Sequence, residues 1–86
     1  MPADLGFVVV TMGREMLERS LEQAHAEMAE AEARVARQKR LLFELIRAGA
    51  SETDAARRAR ELLEVMERAL TASRERVQVE QKWLGQ

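Results

Sequence analysis

A chain of 86 residues with no cysteine, no tyrosine and one histidine has no disulfide or thiolate chemistry to offer and few groups for catalysis. Fourteen Lys and Arg against fifteen Asp and Glu leave a net charge of −1, which directs the chain neither to nucleic acid nor to a membrane. Abundant Ala, Glu, Arg and Leu with a single Pro set the expectation of one all-α domain of long helices, small enough that a lone helix pair buries only a narrow core.

Residues 1–13, MPADLGFVVVTMG, contain Pro2, Gly6 and Gly13 and lack the helical period that follows. They read as a flexible N-terminal extension, with Met12 as an alternative translation start directly before the helical pattern. The apolar run Phe7 to Val10 is too short to span a membrane and has no basic flank of a signal peptide. A cytoplasmic protein without membrane association is expected. The same four residues also suit a short arm pairing with a partner.

Over residues 14–48, Leu17, Leu21, Ala24, Met28, Ala31, Val35, Gln38, Leu42 and Leu45 recur at alternating steps of four and three. That spacing keeps one face of a helix turned towards a neighbour. Gln38 is the polar member, expected to fix register. His25 falls beside this seam, with neither a phosphotransfer motif nor a convergent set of metal ligands around it. The Glu residues serve as helical partners of Arg, as Glu30 does for Arg34. No catalytic, cofactor-binding or metal-binding residue is expected, and the chain reads as no enzyme.

Gly49 suits a left-handed helix stop, and Arg47 in the last turn complements the helix dipole. Ser51 with Asp54, or Thr53 alone, can cap the next helix. So short a link forces the two helices antiparallel.

In the second helix, over residues 53–84, Ala56, Ala59, Leu63, Met66, Leu70, Ser73, Val77, Glu80 and Leu84 repeat the alternating steps. Folding at the turn sets Val35 against Met66, Ala24 against Val77 and Leu17 against Leu84. A second series, Leu62, Val65, Ala69, Ala72, Arg76, Val79 and Trp83, keeps the spacing one position earlier. A helix with two apolar seams contacts two neighbours, and one hairpin supplies only one. The expected architecture is therefore a long, coiled-coil-like antiparallel helical hairpin over residues 14–86, pairing as a homodimer into a four-helix bundle. Phe43, Leu62, Val65, Ala69 and Trp83 are the expected interface residues.

Charge is polarised along this hairpin. Residues 33–60 carry eight basic against three acidic residues, a net +5, while residues 14–32 carry two against six, a net −4. Arg37, Arg40, Arg57 and Arg58 are the candidate contacts for an acidic partner at the turn end. Nucleic acid is the alternative there, although no aromatic interleaving or helix-turn-helix spacing supports it.

The segment ARQK (Ala36–Lys39), with the following LLFEL, Gly49, Thr53 and then Ala59, Leu62, Leu63, Met66 and Glu67, resembles a group of small bacterial helical-hairpin proteins of uncharacterised function. The likeness covers roughly residues 33–68, with a longer link here between Gly49 and Leu62. It implies a hairpin and a bacterial origin, and no activity, ligand or site. The function expected overall is a small non-enzymatic scaffold, adaptor or regulator that presents a helical surface to another protein.

Overall fold

The computed structural model of the chain describes residues 2–85, with side chains from Gly13 to Gly85. Helix α1 runs Pro2–Arg47 and helix α2 runs Asp54–Leu84. They pack antiparallel as one hairpin, a rod of 72 × 17 × 14 Å. No strand is present among the described residues.

The N-terminal segment differs from the expected extension, because α1 is helical from Pro2 onward. Proline suits the first position of a helix, where its missing N–H is not needed. Gly6 and Gly13 each cost about 1 kcal/mol relative to alanine, but lengthening an existing helix needs no new nucleus. The side chains of residues 1–12, including the candidate arm Phe7 to Val10, lie outside the described ones.

The seam explains why the two helices stay together. Ala24, Val35, Ala56, Ala59, Leu70 and Val77 are buried, and so is Gln38 at 8% exposure. Every other seam position is half-buried except Leu17, at the edge of the exposed class. Small residues at Ala56 and Ala59 let the backbones approach near the turn, where Leu42 and Leu45 arrive from α1. That approach brings Gln38 Nε2 within 3.0 Å of the Ala59 carbonyl, to which it donates across the hairpin. At the open end, Ser20 Oγ donates to Glu80 Oε1 at 2.8 Å. These bonds hold the register in which Ala24 faces Val77.

The turn is closed by backbone geometry. Gly49 has φ +79, and around it Gly49 N–H donates to Ile46 O and Ala50 N–H to Leu45 O, at 3.0 and 2.9 Å. This is a Schellman stop, which satisfies carbonyls that the helix end would otherwise leave unpaired. Of the two candidate caps, Thr53 is used: its Oγ1 accepts from Ala56 N–H at 3.2 Å and donates to Ala50 O at 2.6 Å. Arg60 reaches back to the Ser51 carbonyl at 2.8 Å, tying the link to α2.

Candidate interaction surfaces

The hairpin has two broad faces, and ion pairs identify which residues share each. Arg76 reaches Glu27 at 2.9 Å, so the residues that precede seam positions lie together on one face. Arg74 reaches Glu32 at 3.8 Å, and Gln81 Nε2 lies 3.3 Å from His25 Nε2, so the residues that follow seam positions share the other. This sorting is a consequence of 3.6 residues per turn in two antiparallel helices.

On the first face, the second series of α2 forms an uninterrupted exposed stripe. Leu62, Ala69 and Ala72 are exposed, as are Val65 at 52% and Trp83 at 62%. Arg76 is the one charged member, and its guanidinium is held by Glu27 and by Glu80, the latter at 3.2 Å. On the α1 edge of this face, Met16 and Leu41 are also exposed. Met16 and Leu17 border a groove of about 700 Å³ at the open end, closed on its other side by Trp83 and Leu84.

Phe43 is not part of this stripe. It follows a seam residue, Leu42, whereas Leu62, Val65, Ala69 and Trp83 precede theirs, so it lies on the opposite broad face with Ile46. There its ring is exposed, with the Arg47 guanidinium 5.8 Å from the ring centroid. The expected interface set thus divides into four residues on one face and one on the other.

The four arginines considered for an acidic partner also divide. Arg37 and Arg58 lie on the stripe face, Arg57 is on the opposite face in an ion pair with Asp54 at 2.7 Å, and Arg40 points from the back of α1. They surround the turn end without forming one patch. Among the described residues Arg37, Lys39, Arg40, Arg47 and Arg58 have no carboxylate within ion-pair distance. The field at that end is therefore uncompensated locally.

One polar cluster was not read from the sequence. Glu80 sits on the seam, where its Oε1 accepts from Ser20 and Arg76 while its Oε2 is buried without a hydrogen-bond partner among the described residues. The Ser20 hydroxyl, and after it the Arg76 guanidinium, hold the Glu80 carboxyl below its ordinary pKa against the opposing effect of desolvation. The signal was available: Ser20 precedes a seam residue as Arg76 does, which places both beside the acidic seam position.

Among the described residues no group of three or more His, Asp or Glu is arranged to hold a metal ion. No helix among them is long and apolar enough to cross a membrane. No known protein family, curated protein or solved structure matches the chain.

Proposed function

We propose that this chain is a non-enzymatic protein–protein interaction module that works as a homodimer, two hairpins closing a four-helix bundle through the α2 stripe. In this reading it acts in the cytoplasm as a small scaffold, adaptor or regulator. The observation that carries it is the exposure of Leu62, Val65, Ala69, Ala72, Val79 and Trp83 along one face, while the neighbouring seam is consumed inside the hairpin. A stripe of that length is the feature that marks a helix with a second neighbour. The resemblance of residues 33–68 to small bacterial helical-hairpin proteins fits the same picture.

The test is Val65→Glu, which places a charge within the stripe at a side chain that is exposed in the hairpin. Sedimentation should show the variant as a monomer that keeps its helical circular dichroism. An unchanged mass would remove the stripe from the interface.

The second reading is binding of an acidic partner, nucleic acid included, at the turn end. The cations there that lack carboxylate neighbours support it. Under this reading Arg37→Glu/Arg58→Glu abolishes low-salt retention of nucleic acid while leaving the mass unchanged, and affinity falls steeply with salt.

A further inference from the structure

We propose that the two copies lie head to tail about a two-fold axis passing beside Ala72, so that Leu41 and Leu62 of each copy seat in the Met16 and Trp83 groove of the other. This rests on the homodimer reading above and adds its geometry. The first argument is the order of side-chain sizes along the stripe. From Leu62 to Trp83 it runs large at both ends and small at Ala69 and Ala72. Turned end over end about Ala72, Leu62 meets the partner's Trp83, Val65 meets the partner's Val79, and Ala72 meets its own copy. Small residues on the axis allow close approach, and large ones at the ends interdigitate.

The second argument comes from the other helix. Carried through the register held by the Ser20–Glu80 and Gln38–Ala59 bonds, the same rotation brings Met16 opposite the partner's Leu41. These are the exposed large apolar residues of the α1 edge on this face, independent of the α2 stripe that defines the axis. The turn end thus offers a pair of leucines, and the open end a groove of about 700 Å³ to receive them.

Charge selects the same arrangement. In the head-to-tail dimer, Arg34, Arg37, Lys39 and Arg40 of one copy lie along residues 14–24 of the other, where Glu15, Glu18 and Glu22 outnumber Arg14 and Arg19, which favours encounter and register. A two-fold axis along the rod would instead place both basic ends together. It would also lay the apolar stripe on the middle of the partner's α1 edge, which is Gln23, Glu27, Glu30 and Arg34, burying polar groups against valine and alanine.

Two local features fit the head-to-tail arrangement. Arg76 falls opposite the partner's Ala69, whose small side chain leaves room for a guanidinium already neutralised by Glu27 and Glu80. Glu27 and the partner's Glu30 approach near the axis, and each brings its own arginine, Arg76 for Glu27 and Arg34 for Glu30. The area is sufficient as well. A stripe of 21 residue steps is about 31 Å long, and across a rod 17 Å wide it covers on the order of 500 Å² per copy, close to the lower limit for a specific interface.

The chain has no cysteine, so a single Glu52→Cys places one spin label at the exposed turn of each copy. Pulsed dipolar spectroscopy then reads the orientation directly. Head-to-tail pairing about Ala72 separates the two labels by about 60 Å, from the helical rise between the turn and the axis. A distance below about 40 Å in a dimer overturns the arrangement while leaving the homodimer reading intact. A monomer mass with no dipolar modulation overturns both. As a second readout, a mixture of the Leu62→Cys and Trp83→Cys proteins should cross-link with a short bismaleimide, and cross-linking of Leu62→Cys to itself instead would contradict the proposal.

Discussion

At the scale of single residues, the polar groups of the seam show how a narrow interface tolerates what it cannot exclude. Gln38 is buried because Ala59 beneath it is small enough to expose a carbonyl, and the bond across the hairpin returns part of the cost of desolvating the amide. Glu80 is accommodated differently, by a hydroxyl from α1 and a guanidinium from its own helix. Because these partners lower its folded pKa, the carboxylate contributes stability above its unfolded pKa of about 4.3, and the contribution is lost as pH falls through the lower folded value. Urea unfolding at fixed protein concentration, repeated between neutral and acidic pH, should therefore show a shallower acid-side loss for Glu80→Gln than for the parent chain. Equal slopes would remove Glu80 from the stabilising groups.

At the scale of the elements, the turn rests on backbone conformation more than on packing. A methyl group at Gly49 would meet no atom within 4 Å, so the penalty of Gly49→Ala comes only from the left-handed φ, roughly 1 kcal/mol. Thr53→Ala removes a cap worth about 1 kcal/mol. Thermal unfolding should show comparable losses for the two, and no loss for Gly49→Ala would mean that the turn relaxes to another form.

The seam was readable because alternating steps of four and three state which face of a helix is covered, and both helices obey them over their whole paired length. Choosing Thr53 over Ser51 required the turn itself, since both residue types suit a cap and only the path of the link brings Thr53 Oγ1 to both the Ala50 carbonyl and the Ala56 N–H. The position of Phe43 was less accessible. A flank can be recognised as apolar from composition, but which broad face it joins depends on whether a residue precedes or follows the seam in two antiparallel helices. The helix over residues 2–13 is not apparent from the sequence because glycine penalties argue against initiating a helix more strongly than against extending one.

At the scale of the whole molecule, a rod 72 Å long and 14 to 17 Å across has a high ratio of surface to core. In the proposed dimer, the α2 stripe is buried against a second copy, which would add a second layer to a one-layer structure. In that proposal the polarity of charge along the rod sets direction and the apolar stripe sets affinity. Added salt should accordingly weaken the dimer, on the order of tenfold in dissociation constant between dilute and half-molar salt, without abolishing it.

The most direct measurement is the solution mass of the unmodified chain by light scattering across a dilution series at low and high salt. The dimer account predicts twice the 9.8 kDa chain mass at both salt concentrations, with dissociation setting in at higher protein concentration when salt is high. A mass of one chain at every concentration would contradict it.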